Sequence, residues 1–84
     1  MAQNITVVII DSDIDSINSM TNYIKKLDSK VVLEGTATTF ERGYELIHKR
    51  RPMVVIIEVE KDVDASIEKI TQILNRFPQI SVFI

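Results

Sequence analysis

Two short apolar segments that each run directly into acidic residues constrain the fold most strongly. Thr6–Ile10 is followed by Asp11–Asp13. In the same way, Met53–Ile57 is followed by Glu58–Glu60. Both segments are rich in β-branched residues and do not alternate with polar ones, which is typical of strands buried on both faces of a parallel sheet. Because functional groups gather beyond the carboxyl ends of such strands, we expect the two acidic ends to lie side by side.

The spacing of the apolar residues predicts four strands separated by three helices. The predicted strands are residues 5–10, 31–36, 53–58 and 80–84. The second helix opens at a capping box formed by Thr38 and Glu41, and Pro52 ends it because proline disfavours helical geometry in the preceding residue. The order β-α-β-α-β-α-β is the signature of right-handed crossovers and of a parallel sheet covered by helices.

The first and third helices are predicted to face the sheet with apolar residues three or four positions apart. In the first helix, over residues 14–27, these residues are Ile14, Ile17, Met20, Ile24 and Leu27. In the third helix, over residues 64–76, they are Ile67, Ile70, Ile73 and Leu74. We expect both sets to point into the core.

The composition excludes several classes of function. The chain has no cysteine, which removes disulfides, thiolate metal sites and cysteine catalysis. A net charge of −2 gives no electrostatic reason to expect nucleic acid as a partner, and Lys49–Arg51 is interpreted as a group of cations that complements a helix end. No segment has the length of a membrane span or the pattern of a signal peptide. We therefore expect a cytoplasmic protein that binds neither nucleic acid nor membrane.

Four segments together resemble the receiver domain of bacterial response regulators, which has the CheY-like, flavodoxin-like fold. They are Val7–Asp13, Val32–Ala37, Arg51-Pro52 and Val54–Glu58. The resemblance implies a three-layer α/β sandwich with the parallel strand order 2-1-3-4. It covers the whole chain, residues 1–84, but only the earlier part of the family domain. We therefore expect an incomplete receiver-like domain that stops after its fourth strand.

The resemblance also identifies the candidate site residues. Family receivers hold Mg²⁺ with two adjacent acidic residues after the first strand, and they accept a phosphoryl group on an aspartate after the third strand. Here Asp11 matches the first acidic position and Ser12 occupies the second. Glu58 occupies the phosphoacceptor position. The family's hydroxyl residue after the fourth strand and its lysine after the fifth would lie beyond Ile84.

These departures argue against phosphotransfer. Magnesium prefers a near-octahedral set of carboxylate and water oxygens, and Ser12 removes one carboxylate that Asp13 replaces only in part. Glu58 is one methylene longer than aspartate, so its charge lies about where a phosphorylated aspartate carries its own, and in-line transfer depends on position. We expect no catalytic residue and no required cofactor. The candidate site is an acidic pocket with weak affinity for Mg²⁺, made of Asp11, Ser12, Asp13, Glu58 and Glu60.

A narrower resemblance rests on the segment after the third strand. Val59–Asp64 is acidic and lacks glycine, whereas receivers have a loop with proline and glycine at this place. It is similar to the degenerate receiver at the start of the TadZ/CpaE group, which are MinD-like ATPases that localise pilus-secretion machinery. This resemblance implies a localisation or dimerisation module followed by an ATPase domain.

Three hypotheses about function follow. The favoured one is a pseudo-receiver that is not an enzyme and acts in signal transduction or protein localisation through contacts with other proteins, with Glu58 resembling the phosphorylated state. The alternative is a genuine two-component receiver that a histidine kinase phosphorylates. The third is a fragment that self-associates through the fourth strand, residues 80–84, which we expect to be an exposed apolar edge.

The acidic residues also have a purely structural interpretation. Ser12 or Asp13 is placed to cap the first helix, and Asp15 lies in its first turn, where the positive end of the helix dipole favours acidic side chains. In the absence of a cation, repulsion within the acidic pocket is expected to raise the pKa of at least one carboxyl group. His48, the single histidine, is interpreted as an exposed residue near a helix end rather than as a catalytic base.

Overall fold

The computed structural model describes residues 4–27 and 29–84, in which strands and helices alternate as predicted. The strands are β1 (Ile5–Ile10), β2 (Val31–Ala37), β3 (Val54–Ile57) and β4 (Ser81–Phe83). The helices are α1 (Ile14–Lys26), α2 (Phe40–Arg50) and α3 (Val63–Arg76). Within these two ranges, no helix is long and apolar enough to cross a lipid bilayer.

The four strands form one parallel sheet in the order β2-β1-β3-β4, which confirms the predicted order and is consistent with a flavodoxin-like fold. β1 lies between β2 and β3, so Ile10 pairs with Ala37 on one side and with Ile57 on the other. The chain continues from β1 to β2 on one side and reaches β3 on the other. A crevice at the carboxyl end of the sheet is expected at such a reversal of direction.

The pairing of β1 with β2 contains one irregularity. Val7 pairs with Leu33, whereas the next residue, Val8, pairs with Gly35. Glu34 is therefore an extra residue in β2, and this two-against-one pairing is a β-bulge. Beyond the bulge the inward and outward positions of β2 are exchanged, which brings Ala37 to a buried position next to Ile10.

A separate hydrophobic core lies on each face of the sheet. α2 and α3 cover one face, where Val8 and Ile10 of β1 pack with Ile47, Ile73 and other residues. α1 covers the other face, where Val7 and Ile9 of β1 pack with Ile17 and Ile24. β1 supplies both cores because successive side chains of a strand point to opposite faces, which explains its continuous apolar sequence. The molecule is therefore the three-layer sandwich that the pattern predicts.

The buried stripes of α1 and α3 are narrower than predicted. In α1, Ile17 and Ile24 are buried, but Ile14 and Leu27 are exposed. Ile14 is the first helical residue and Leu27 is the C-cap, so neither reaches the sheet that the middle of the helix covers. The prediction that these two residues face the core is wrong.

In α3 the prediction is correct for two of its four residues, because Ile73 is buried and Ile70 is partly buried against the same core. Ile67 and Leu74 are exposed, whereas Ser66 and Ile73 are buried. Ser66 can be buried because its Oγ accepts a hydrogen bond from the N–H of Glu60 at 2.8 Å, which satisfies the hydroxyl without water. The prediction of an inward Ile67 and Leu74 is therefore wrong.

Side chains of the loops cap the three helices. Asp13 caps α1 as predicted, since its Oδ1 accepts from the N–H of Asp15 at 2.9 Å. α2 is capped by Thr39, whose Oγ1 accepts from the N–H of Arg42 at 3.3 Å, so the predicted capping box of Thr38 and Glu41 is wrong by one position. Asp62 caps α3. All three caps lie at the carboxyl edge of the sheet.

The end of α2 has an unusual backbone. Among residues 4–27 and 29–84, Arg51 is the only non-glycine residue with a positive φ, at 47°. Its N–H still bonds to the carbonyl of Ile47 at 2.8 Å, and its Nε donates to the carbonyl of His48 at 3.0 Å. Pro52 follows at once, so the helix ends where predicted, with Arg51 in the left-handed region rather than extended.

Candidate functional site

The structure brings Asp11 and Glu58 together, as predicted from the two acidic strand ends. β1 and β3 are neighbours, and the N–H of Glu58 bonds to the carbonyl of Ile10 at 3.1 Å. The N–H of Asp11 bonds to the carbonyl of Ala37 at 3.0 Å, which fixes the end of β1 from its other side. Both carboxylates therefore start from backbone that the sheet holds in place.

Glu58 points back across the loop that joins β1 to α1. Its Oε1 accepts a hydrogen bond from the N–H of Ser12 at 2.9 Å. The hydroxyl of Ser12, together with this N–H, holds the pKa of Glu58 below its usual range, and the nearby Lys69 ammonium acts in the same direction. Glu58 is therefore a stable negative charge at neutral pH.

Asp11 is the more buried of the two carboxyl groups, with only 8 % of its surface exposed. Its Oδ1 accepts from the N–H of Asp13 at 2.9 Å. Burial is the main cause of a raised pKa at Asp11, and its hydrogen bond with Glu58 and the charges of Glu58 and Asp13 add to it. The hydrogen bond between the two carboxyl groups raises the pKa of Asp11 and lowers the pKa of Glu58, so the two pKa values move in opposite directions. The expected rise at one carboxyl group is thus found at Asp11.

Asp13 caps the start of α1 and does not contribute to the acidic pocket. Besides the bond from the Asp15 N–H, its Oδ2 accepts from the Oγ of Ser16 at 3.3 Å. Asp15 lies in the first turn of the helix. The structural interpretation of these two carboxylates as helix-stabilising groups therefore accounts for their positions.

Glu60 belongs to a second group of contacts on the far side of Glu58. Its Oε2 is 2.5 Å from the Nζ of Lys69, and its N–H bonds to the buried Ser66. The same ammonium lies 5.7 Å from the centre of the Phe40 ring, within the range of a cation–π interaction. Lys69 thus links the loop after β3 to α2 and places a cation beside the acidic pocket.

Sequence analysis missed Lys69 and Ser66. Their spacing of three residues on one helix places both side chains over the start of α3, and this spacing was the only available signal. A lysine on an amphipathic helix is usually solvated, so the sequence by itself does not single it out. His48, in contrast, lies in the last turn of α2, at the opposite edge of the sheet, and takes no part in the site.

A cleft of about 200 Å³ opens between these groups at the carboxyl edge of the sheet. Its floor is apolar and its rim carries hydroxyl groups and charges. The lining residues are Ile10, Ser12, Thr38, Thr39, Phe40, Glu41, Ile57, Glu58, Glu60 and Lys69. No histidine or cysteine lines the cleft.

The arrangement of the acidic residues does not fit a magnesium ion. Over residues 4–27 and 29–84, no three acidic or histidine side chains are grouped as metal ligands. Asp13 caps α1, Glu60 pairs with Lys69, and Glu58 accepts from the backbone of Ser12, so their oxygens are directed to other partners. Magnesium requires several oxygens around one point at near-octahedral angles.

No family model matches this chain. A search of curated proteins gives no match either.

The opposite pKa shifts predict opposite effects of two amide substitutions on stability. The raised pKa of Asp11 means that its charged form is disfavoured in the folded state above pH 3.8, so Asp11→Asn is expected to increase the free energy of unfolding at pH 7. The lowered pKa of Glu58 contributes stability that is present above pH 4.5 and lost as the pH falls through its folded value. Glu58→Gln should therefore cost about 1 kcal/mol at pH 7, the difference between a charged and a neutral hydrogen bond.

Urea unfolding at a series of pH values measures both effects. Each variant is the control for the other, because each removes one carboxylate and keeps an oxygen that accepts the same backbone N–H. Both differences from the unaltered protein should disappear in acid, below the folded pKa of Glu58 and below pH 3.8. Equal destabilisation by the two substitutions at pH 7 would contradict the opposite directions of the two pKa shifts.

Replacing Lys69 by methionine is expected to lower the free energy of unfolding by less than about 1 kcal/mol, because the ion pair with Glu60 is partly exposed to water. The substitution should also raise the pKa of Glu58, since the ammonium now favours its charged form. Carboxyl ¹³C NMR titration measures the second effect. Lys61→Met is the matched control, and an equal change in the Glu58 titration with Lys61→Met would show that only overall charge matters.

Proposed function

We propose that this chain is a pseudo-receiver that acts in signal transduction or protein localisation through contacts with other proteins, without phosphorylation. The observation that carries the proposal is the bond from the Ser12 N–H to the carboxylate of Glu58 at 2.9 Å. This contact keeps a negative charge fixed at the end of β3, the position that the receiver resemblance assigns to the phosphoacceptor. The charge is part of the resting structure and requires no phosphodonor.

The surroundings of Glu58 support a structural rather than a reactive role. Its hydrogen bond reaches the loop before α1, and the adjacent pair of Glu60 and Lys69 reaches α3. In the proposed function these contacts hold both loops in one conformation, and the partner protein binds the surface that they form. Since an acceptor oxygen must be free and aligned for in-line transfer, a carboxylate held in this way is a poor nucleophile.

Reaction with a small phosphodonor tests the proposal against the alternative of a genuine receiver. The chain is incubated with acetyl phosphate and Mg²⁺, and its intact mass is measured, with a phosphorylatable receiver protein as the positive control for the reagent. We expect no mass increase. A phosphoryl adduct that disappears in Glu58→Gln would overturn the proposal in favour of a two-component receiver.

The second part of the proposal concerns the partner and needs a comparison of variants. Proximity labelling in the native cell is carried out with the unaltered chain, with Glu58→Gln and with Glu68→Gln, which removes an exposed carboxylate of α3 away from the cleft. A partner that reads the Glu58 charge should be recovered with the unaltered and Glu68→Gln chains, and about tenfold less with Glu58→Gln. Equal recovery with all three would contradict a role of this charge in partner binding.

A further inference from the structure

Carboxylates predominate at the helix starts, at one end of the sheet, and cations predominate at the helix ends, at the other. Because each helix returns the chain from the carboxyl edge of the parallel sheet to its amino edge, all three helices start at the carboxyl edge. The residues at this edge, here called the acidic end, carry carboxylates in the caps and first turns of the helices. They are Asp13, Asp15, Glu41, Asp62 and Asp64.

The opposite edge carries the largest group of cations, whereas Arg42, Lys61 and Lys69 lie near the acidic end. The last turns of the helices and the residue after α2 form the basic end of the molecule. Its residues are Lys25, Lys26, Lys49, Arg50, Arg51 and Arg76. The chain as a whole has a net charge of only −2, so the two ends oppose each other in sign and nearly balance.

Each end also exposes apolar side chains. Ile14, Val59 and Val63 are exposed at the acidic end. The basic end exposes Ile5, Leu27 and Met53. Helix dipoles account for the signs of the charges, but they give no reason for apolar residues among them. Exposed apolar side chains among charged ones are a composition that protein–protein interfaces share.

We propose that the acidic end of one copy of this chain binds the basic end of another, so that copies associate head to tail. The two ends complement each other in charge, and each supplies apolar surface to the centre of the contact. Because the two surfaces in contact are different, every added copy leaves one acidic and one basic end free. Association therefore produces a row of copies rather than a closed dimer. This inference goes beyond the proposed function, since it requires neither the charge of Glu58 nor a different protein.

A second copy of this chain fits the observations better than nucleic acid does. Nucleic acid would use the basic end alone and would leave the acidic end and its exposed Ile14, Val59 and Val63 without a role. A second copy uses both ends in one contact. Addition of random duplex DNA to the unaltered chain distinguishes these occupants, because DNA should not bind more tightly than a second copy does.

The first test is the dependence of self-association on salt, measured by sedimentation velocity over a range of protein concentrations. At about 0.1 M salt, where charges interact over about 10 Å, we expect the sedimentation coefficient to rise with concentration. At about 1 M salt, where the range is about 3 Å, association should weaken by about tenfold or more. A chain that stays monomeric at low salt and high concentration, or that associates more strongly at high salt, would overturn the proposal.

The second test uses two charge-reversed variants. One reverses the basic end with Lys25→Glu, Lys26→Glu and Arg50→Glu. The other reverses the acidic end with Asp15→Lys, Glu41→Lys and Asp64→Lys, leaving the caps Asp13 and Asp62 in place. The first variant leaves three positive and three negative charges among the six residues of the basic end, and the second leaves three positive and two negative charges among the five residues of the acidic end. Each variant alone therefore loses the charge attraction between its two ends and should stay monomeric. An equal mixture should associate, because the unaltered acidic end of the first variant meets the unaltered basic end of the second.

Circular dichroism shows whether both variants are folded. If either is unfolded, the salt dependence of self-association by the unaltered chain is the test of the proposal. A folded variant that self-associates alone, or a mixture that does not associate, contradicts the head-to-tail contact. Glu58→Gln should associate like the unaltered chain. This variant separates the two proposals. If it loses its partner protein but still self-associates, the result concerns the proposed function and leaves the head-to-tail contact unaffected.

Discussion

Replacing Phe77 by alanine is expected to lower the free energy of unfolding by about 3–5 kcal/mol. Phe77 is fully buried and is among the largest such side chains. Its ring centre lies 5.6 Å from that of Tyr44 and 6.2 Å from that of His48, and the guanidinium of Arg51 lies 4.9 Å from it. Alanine would leave a cavity among residues of α2, α3 and the sheet. The free energy of unfolding of a whole domain is about 5–15 kcal/mol, so this loss is a large share of it.

Urea unfolding monitored by circular dichroism measures this loss, and Phe83→Ala is the matched control. The chain offers two phenylalanines in contrasting positions, since Phe83 of β4 is 57 % exposed. Truncating it removes the same atoms from a site that is already in contact with water, so we expect a change of about 0.5 kcal/mol or less. Similar losses for the two variants would mean that α3 does not pack on the sheet through Phe77.

Replacing Gly43 by valine is expected to cost about 3 kcal/mol. A Cβ at this buried position of α2 would lie 2.4 Å from Cδ1 and 2.5 Å from Cγ1 of Ile10, which are distances that require one of the elements to move. Ile10 belongs to the central strand and pairs with β2 and β3, so it has little freedom to yield. Overpacking of this kind costs about 1–3 kcal/mol, and the second branch of valine brings the loss to the upper end.

A double-mutant cycle with Ile10→Ala distinguishes overpacking from a general effect on α2. Ile10→Ala alone should cost about 2–5 kcal/mol, because it leaves a cavity beside Gly43. In the double variant valine fills that space, so the combined loss should be smaller than the sum of the single losses by about 1–3 kcal/mol. Additive losses would show that Gly43 is not in contact with Ile10.

Gly35→Ala is a further control in the same cycle of measurements. Its Cβ would meet the terminal Cδ2 of Leu46 at 2.7 Å, and this atom is the flexible end of a half-buried side chain. We expect a change of about 1 kcal/mol or less, because Leu46 can rotate away. The contrast with Gly43 therefore depends on which atoms are approached rather than on the loss of a glycine.

The strand order and the layers could be predicted because they depend on strong, local signals. The apolar segments of β1 and β3 predict strands that are buried on both faces. The alternation of strands with helices then allows only a few strand orders in a parallel sheet. The meeting of Asp11 with Glu58 followed from the same reasoning, since it requires only that β1 and β3 are adjacent. These features would be predicted correctly even if the end of a strand or helix were misplaced by one residue.

The details that were wrong depend on single contacts over longer distances. The N–H of Glu60 satisfies the hydroxyl of the buried Ser66, whereas the neighbouring Ile67 is exposed. In the same way, Lys69 enters the site only because the loop after β3 brings Glu60 to it. Periodicity describes which side of a helix is apolar on average, so it cannot identify a polar residue whose partner is in a loop.

The two edges of the sheet differ in their capacity to gain another strand. On the β2 edge the bulge at Glu34 interrupts the regular ladder, and such bulges twist an edge away from a straight partner. β4, at the other edge, pairs with β3 in unbroken register from Ser81 to Phe83, and it offers an outer row of backbone groups without a bulge. A further strand would therefore pair more regularly beside β4 than beside β2, which makes the two edges of the sheet unequal.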